Sequence, residues 1–324
     1  MHFGAIYGDA LDQVLRRGGF FAETHSIKGL LALSRLHELP GVEDEFIEDA
    51  LHWNQVFDAP VTDLLFSDHV RLHRDSVEDG HLQALIRGAV FPLSYLAGAT
   101  WTRRHGYTHL VESLADTAIE RVGYLGHSWT IWCSFLEIEP YLHTDTQMIF
   151  AAERFVEFCA SQLSTPDWTP AYPIDFSLAS HTLEEDEMIS SVLSRPGFYG
   201  HRLITLAYLC KYRARLSTDQ WKHSLKRMYD ESQKHTGSAA HDMQVHNSDP
   251  SGSLDDRVIA SATVQYLNQA PREVHTLTLA DAVVELWKHV GAVHRQHLLH
   301  VLRIYGDWEV QRTSSGERKK SDEG

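Results

Sequence analysis

The chain has 324 residues, of which 43% are hydrophobic, and it carries 44 acidic against 29 basic side chains for a formal net charge of -15. This length and apolar content allow a large buried core and exclude a disordered chain. The negative charge disfavours nucleic acid and anionic membranes as partners, because both are bound through clustered lysine and arginine side chains.

Apolar residues recur at every third or fourth position along most of the chain, which is typical of amphipathic helices. Ser217 and Gln220 have the spacing of a capping box at one helix start. Strand patterns are scarce, so we predict a mainly α fold, a single large helical domain of roughly a dozen helices around a histidine- and aromatic-lined cavity. In chain order, the predicted helices include residues 7–17, 26–39, 43–57, 103–114, 145–163, 201–216, 217–235, 254–269 and 278–306.

The predicted domain organisation is a helical catalytic domain over residues 1–311 and a disordered tail over residues 312–324, which lack an apolar anchor. The proline-rich segment 165–175 is expected to be an extended surface loop. The polar segment 234–253 is expected to be a loop that can cover a pocket.

Cysteine usage and hydropathy predict a cytoplasmic location. Cys133, Cys159 and Cys210 are odd in number and widely spaced among apolar neighbours, which is typical of reduced core residues. Asp9 and Asp12 precede any long apolar stretch, and no apolar run is long enough to span a bilayer. The long apolar helices are compatible with a homodimer.

Several familiar motifs are absent from the sequence. There is no glycine fingerprint for a dinucleotide, no P-loop and no HExxH, so the cofactor-binding residues remain unknown. The segment "GHSWT" at 126–130 resembles a nucleophile elbow around Ser128. However, Thr130 replaces the closing glycine, and the alternating strands and helices of a hydrolase are missing.

The 22 histidines are the unusual feature of the composition. In "RRHGYTHLVESL" (103–114), His105, His109 and Glu112 have the i, i+4, i+7 spacing of one helix face. Two imidazoles and one carboxylate with open positions form the metal set of non-haem Fe(II) oxygenases. The alternative is a solvated polar face, because such pairs arise by chance in a histidine-rich chain.

Other histidines lie in apolar or aromatic surroundings, and together they suggest a histidine-lined interior cavity. They are His25 at a helix start, His127 before two tryptophans, His201 after "PGFYG" and His275 before an apolar helix. The alternative for each is a structural helix cap or a core residue.

Three segments resemble the questin oxidase-like family. The first is "YGDALDQVLRRGGFFAETHSIKGLLALSRL" (7–36), in which Thr24 and His25 stand where the family has an Asn-His pair. The second, "LAGATWTRRHGYTHLVESLADTA" (96–118), is similar to a middle segment with two histidines on one helix. The third, "VHTLTLADAVVELWKH" (274–289), is similar to a late segment with a histidine before a helix.

The resemblance implies an α-helical oxidoreductase of specialised metabolism. Such enzymes open an aromatic polyketide ring, typically an anthraquinone, by a Baeyer-Villiger-type oxygen insertion that uses O2 and NADPH. The positions carried over are His25, His105, His109 and His275. An imidazole can deprotonate a phenol, and a second imidazole can protonate or stabilise the developing peroxide. With His127 and His201, these four residues are the candidate catalytic set.

Three hypotheses therefore stand for the function. The first is an oxygenase that acts on an aromatic small molecule, either without a tightly held cofactor or with Fe(II) at His105, His109 and Glu112. The second is a non-redox cyclase or hydrolase that uses the same histidines as acids and bases. The third is a binding or scaffold protein whose histidines are structural.

Overall fold

The computed structural model describes most of the chain, with the backbone alone at residues 5–6, 55–56 and 312–314. The described residues are 5–17, 25–56, 64–70, 77–122, 125–163, 184–234, 243–245, 254–270 and 273–314. The predicted loop 165–175, most of 234–253 and residues 315–324 of the predicted tail lie outside these ranges.

The helical class predicted from the sequence is confirmed. Fifteen α-helices, numbered α1 to α15 in chain order, account for most of the described residues, and no strand occurs among them. No helix in this part of the chain is long and apolar enough to cross a membrane. The predicted lining of the cavity and the extent of the catalytic domain, 1–311, stay predictions.

The chain clusters into two compact units, the first formed by Met1–Ser34 and Leu51–Asp175 and the second by Arg35–Ala50 and Phe176–Gly324. A π-helical turn, Cys159–Leu163, extends the last helix of the first unit. The helices of the first unit, some of them only in part, are α1 (Ala5–Leu15), α2 (His25–Leu36), α3 (Asp44–Val56), α4 (Asp79–Arg87), α5 (Leu93–His105), α6 (Tyr107–Glu112), α7 (Ala115–Glu120), α8 (His127–Glu137) and α9 (Asp145–Phe158).

Helix α9 is the centre of the first unit, where it contacts α1, α5, α6 and α8. Its apolar side chains Phe150, Phe155 and Phe158 are each no more than 1% exposed. Gly98 on α5 allows the close approach of that helix, because a Cβ atom there would lie 2.8 Å from Cγ1 of Val156. Close packing of this kind leaves no room for added volume.

Three charged residues in the second half of α9 are buried, which its amphipathic pattern did not predict. Glu153, Arg154 and Glu157 are at most 1% exposed. Glu153 accepts the backbone N–H groups of Phe66 and Ser67 at 3.1 and 2.8 Å. Burial raises the pKa of the Glu153 carboxyl, although these hydrogen bonds oppose the shift.

The second unit contains the remaining helices. In its core, α14 contacts α11, α13 and α15, while α10 contacts α11, α12 and α15. Arg35, near the end of α2, forms a bidentate ion pair with Asp281 of α14, with Nε 2.8 Å from Oδ1. These helices are α10 (Glu185–Ser194), α11 (His201–Lys211), α12 (Thr218–Ser232), α13 (Asp256–Gln269), α14 (Val274–His289) and α15 (Ala292–Ser314).

Two segments that were predicted as continuous helices are each divided in the structure. The predicted helix 278–306 is divided between α14 and α15, because Val290 is extended at φ -110° and ψ 154°. The predicted helix 103–114 is broken at Gly106, whose φ of 91° and ψ of 156° end α5 and precede α6. Helix α15 reaches Ser314 and so includes the first residues of the predicted tail.

Candidate functional site

His25 and His127 form a buried imidazole pair in the first unit. Each is the first residue of its helix, α2 and α8, and their exposed fractions are 2% and 4%. Gly126 directs the chain into α8 in the left-handed conformation, at φ 62° and ψ 15°. The two Nε2 atoms lie 3.2 Å apart, and the rings meet edge to face with centroids 4.6 Å apart.

Hydrogen bonds to the main chain position both histidines. Beside His25, Ser26 donates its hydroxyl to the carbonyl of Asn54, and the Asn54 amide donates to the carbonyl of Ser26, both at 2.9 Å. Beside His127, Ser128 donates its hydroxyl to the carbonyl of Arg121 at 2.8 Å. The first turns of α2 and α8 are therefore fixed by side chains next to each imidazole.

The Nε2 atoms of this pair can hold either a proton or a metal ion. As a hydrogen bond, one Nε2 carries the proton and donates it to the lone pair of the other. As metal ligands, two imidazole nitrogens about 2.0–2.1 Å from a tetrahedral ion are about 3.3 Å apart. The observed separation of 3.2 Å fits both arrangements. The residues present therefore fit a transition metal as well as proton transfer.

A second cluster of imidazole and aromatic rings lies in the second unit. His201 is the first residue of α11 and is 2% exposed, whereas His275, near the start of α14, is half-buried. Their ring centroids are 5.2 Å apart. Tyr199 stacks on His275 at 4.8 Å and meets Trp308 edge to face at 5.6 Å. Half-buried stacked rings of this kind form a surface suited to a flat aromatic ligand.

The loop that carries Tyr199 has a strained backbone. Tyr199 itself has φ 46° and ψ 28°, and the flanking Gly197 and Gly200 have φ values of 78° and 74°. The Tyr305 hydroxyl donates to the Gly197 carbonyl at 2.6 Å. A left-handed non-glycine residue persists only where its surroundings enforce it, and such residues concentrate at ligand sites.

The predicted metal set His105, His109 and Glu112 is not brought together. His105 is the last residue of α5, whereas His109 and Glu112 lie on α6 beyond the break at Gly106. Glu112 is exposed, and the donor atoms of the three residues are not within 4.8 Å of one another. The two imidazole rings remain neighbours, with centroids 5.6 Å apart.

The hydrogen bonds of these two histidines also disfavour metal binding. The Trp101 indole donates to Nδ1 of His109 at 3.2 Å, which leaves Nε2 to carry the ring proton. His105 directs its Nε2 to the Asp79 carboxylate, 2.8 Å away. The hydrogen bond from Arg104, together with the charges of Arg104 and His105, lowers the pKa of the Asp79 carboxyl. Both histidines are therefore already partnered through one ring nitrogen.

Tyr199 and Trp308 were not among the site residues predicted from the sequence. A signal for Tyr199 was present in "PGFYGH", where two glycines bracket an aromatic pair directly before His201. Trp308 carried no such signal, because it lies in the amphipathic pattern of α15 and only packing brings it to Tyr199.

The fold and these clusters define an all-helical protein with a buried imidazole pair in one unit and an imidazole-aromatic cluster in the other. The chain matches no protein-family model, and no match was found among curated proteins or solved structures.

Proposed function

We propose that this protein is an oxidoreductase of specialised metabolism that uses O2 to oxygenate or oxidatively cleave an aromatic, anthraquinone-like small molecule. The supporting observation is the buried pair of His25 and His127, whose Nε2 atoms are 3.2 Å apart. The type of reaction comes from the resemblance to questin oxidase-like proteins, which also implies NADPH as the reductant.

The imidazole pair supplies acid-base chemistry in a site from which water is largely excluded. When a phenol replaces the neighbouring N–H as its partner, the Nε2 atom without a proton can accept the phenol proton, which converts the aromatic ring into an electron-rich anion that reacts more readily with O2. The other imidazole keeps its proton and can donate it to a developing oxyanion. Because both rings are buried, their electrostatic effects are stronger than they would be in water.

Fe(II) is the alternative to proton transfer at the pair, because the lone pair of each Nε2 can hold either a metal ion or a proton. When bound, Fe(II) supplies open coordination positions and redox chemistry for O2. The contribution of the chain is two neutral nitrogen ligands, His25 Nε2 and His127 Nε2, at a separation suited to one ion. Ser26 and Ser128, through their main-chain partners, hold the helix ends that carry these ligands.

The imidazole-aromatic cluster of the second unit supports an aromatic ligand. The rings of Tyr199 and Trp308 offer faces and edges for stacking, and His275 offers a hydrogen-bonding nitrogen beside them. A flat polycyclic phenol has matching features, namely an extended π face and a hydroxyl group.

Metal analysis and oxygen uptake test the proposal together. Purified wild-type protein and the variants His25→Gln, His127→Gln and His289→Gln are assayed for iron content. Oxygen consumption is then measured with a hydroxyanthraquinone, with and without NADPH and added Fe(II). His289 is the matched control because it lies on an exposed helix end, paired with Glu285. We expect both pair variants to lose oxygen uptake by roughly 100-fold or more, while His289→Gln behaves as wild type.

The outcomes separate the alternatives. Stoichiometric iron that is lost in both pair variants supports the iron form, and oxygen uptake by a metal-free protein supports the cofactor-free form. A product at the oxidation state of the substrate, formed without oxygen uptake, indicates a cyclase or hydrolase instead. Absence of turnover and of ligand-induced spectral change under every condition would overturn the proposal in favour of a binding or scaffold protein whose histidines are structural.

A further inference from the structure

Trp101 and His109 form a pair that joins a buried indole to an exposed imidazole in the first unit. Trp101 is 3% exposed, whereas His109 lies at the surface. The indole Nε1–H donates to Nδ1 of His109 at 3.2 Å, and the two ring planes are only 22° apart. The indole N–H is therefore directed at a ring nitrogen of His109, so a proton can move between the two rings along this hydrogen bond.

The Trp101 indole donates its N–H to a base, the His109 imidazole, and this allows oxidation of the indole to be coupled to proton transfer. An indole that loses one electron becomes a radical cation, and its N–H is then far more acidic than in the neutral ring. Because Nδ1 of His109 accepts the hydrogen bond, its lone pair is already directed at this proton. His109 can release its own Nε2 proton to water, because the side chain is exposed.

Other tryptophans have less suitable partners. Trp132 donates its indole N–H to the Val111 carbonyl at 2.8 Å, and an amide carbonyl is a poor base. Trp287 donates to the Asp256 carboxylate, but the Arg295 guanidinium lies 5.0 Å from its ring centroid and disfavours a second positive charge.

Among the described residues, His105 is a second titratable ring in contact with Trp101, and a neighbouring carboxylate balances its charge. His105 lies 4.7 Å from the Trp101 ring, and its Nε2 is 2.8 Å from an oxygen of Asp79. The carboxylate offsets a positive charge on His105, so oxidation of the neighbouring indole is not opposed by an uncompensated cation.

We propose that Trp101 and His109 are a proton-coupled redox pair. A one-electron oxidant removes an electron from the Trp101 indole, and the Nε1 proton moves to Nδ1 of His109, which leaves a neutral indolyl radical and an imidazolium. His109 then loses its Nε2 proton to water. A one-electron reductant, such as ascorbate, returns the electron, while His109 takes up a proton from water at Nε2 and passes its Nδ1 proton back to Nε1 of Trp101, which restores the indole and the original imidazole. This inference is independent of the proposed oxygenase activity.

Flash photolysis tests the pair on the full-length protein. The oxidant is a ruthenium(III) polypyridyl complex, generated by light with a sacrificial electron acceptor at neutral pH. All variants carry Trp53→Phe, because the Trp53 indole is 57% exposed and would compete for the oxidant. Transient absorption and electron paramagnetic resonance distinguish the neutral indolyl radical from the radical cation.

We expect a neutral radical that forms more slowly in D2O and is lost in Trp101→Phe but retained in Trp132→Phe. His109→Asn retains a hydrogen-bond acceptor but removes the base, and should slow formation of the neutral radical by roughly 100-fold, the lower end for a positioned base. His81→Asn, at an exposed position on α4, is the matched control and should leave the rate unchanged.

Two results would overturn the inference. One is an unchanged neutral-radical yield in Trp101→Phe, and the other is a wild-type rate of formation in His109→Asn. Circular dichroism establishes that each variant is folded. If Trp101→Phe does not fold, the exposed substitution His109→Asn decides the question alone.

Discussion

The Glu157 carboxylate accepts hydrogen bonds from Nε and one Nη of Arg154, each at 2.8 Å. Both residues lie on one face of α9, and both side chains are completely buried. The Tyr95 hydroxyl also donates to Glu157 at 2.8 Å, and Arg154 donates to the carbonyl of Leu15. This network links α9 to α5 and to the end of α1. Burial, reinforced by the Glu157 charge, raises the pKa of the Tyr95 phenol, so Tyr95 remains a donor.

Replacing Glu157 with glutamine is expected to lower the free energy of unfolding by about 3 kcal/mol, the lower end for a broken buried pair, because it removes the carboxylate 2.8 Å from Arg154 and leaves that of Glu153, 3.7 Å away. Urea denaturation followed by circular dichroism measures the change. Lys234→Ala is the control, since Lys234 pairs with Glu231 at the surface. Removal of an exposed pair costs at most about 1 kcal/mol. Equal effects of the two substitutions would contradict a special role for the buried pair.

His297 is expected to make the stability of the protein sensitive to acid. Burial lowers its pKa, and the neighbouring His294 and His300 lower it further. The unfolded chain therefore binds this proton more readily than the folded chain. The stabilisation is present above the ordinary histidine pKa of about 6.5, and it is lost as the pH falls from there through the lower folded value.

Denaturation curves between neutral pH and mildly acidic pH measure this effect, and His297→Gln should reduce the loss of stability in acid. Two groups of α10 face this part of α15. The Ser194 hydroxyl lies 3.5 Å from Nε2 of His297, and the Asp186 carboxylate lies 2.9 Å from Nε2 of His294. The control is His81→Gln, because His81 is exposed. The same pH dependence in wild type and His297→Gln would show that another group is responsible.

Gly200→Ala should destabilise the second unit. The residue has φ 74°, and an added Cβ would lie 2.5 Å from Cδ1 of Leu279. We expect a loss of about 1–3 kcal/mol from overpacking, with about 1–2 kcal/mol more from the left-handed backbone. Thermal unfolding measures it. Gly80→Ala, in α4, is the matched control, because its Cβ would meet nothing within 4 Å. That substitution should stabilise the helix by up to about 1 kcal/mol.

The capping box of α9 gives a prediction for the first unit. The Thr144 hydroxyl accepts the backbone N–H of Gln147 at 3.1 Å, and the Gln147 side chain accepts the backbone N–H of Thr144 at 3.2 Å. Thr144→Ala should cost about 0.5–2 kcal/mol of stability, measured by urea denaturation. Thr144→Ser keeps the hydroxyl and should remain close to wild type. A Thr144→Ser loss as large as that of Thr144→Ala would show that the methyl group, and not the cap, stabilises this helix end.

The sequence determined the helices and several of their ends. Apolar spacing depends only on neighbouring residues, so α9, α12 and α13 were predicted from it, and the capping box at Ser217 is confirmed by hydrogen bonds with Gln220. Local spacing also made His105 and His109 neighbours. It did not show that Gly106 ends α5, because a glycine is compatible with both a helix and a break.

Only the tertiary structure decided which side chains meet. His25 and His127 are 102 residues apart in the chain, and their contact depends on how α2 and α8 pack. Glu153 and Glu157 have the spacing of a solvated face, yet both are buried because their partners come from other segments, namely Phe66, Ser67 and Tyr95. Long-range packing decides both the histidine contact and the burial of the two carboxylates, because a hydrogen-bond partner on another segment cannot be predicted from the local pattern of residues.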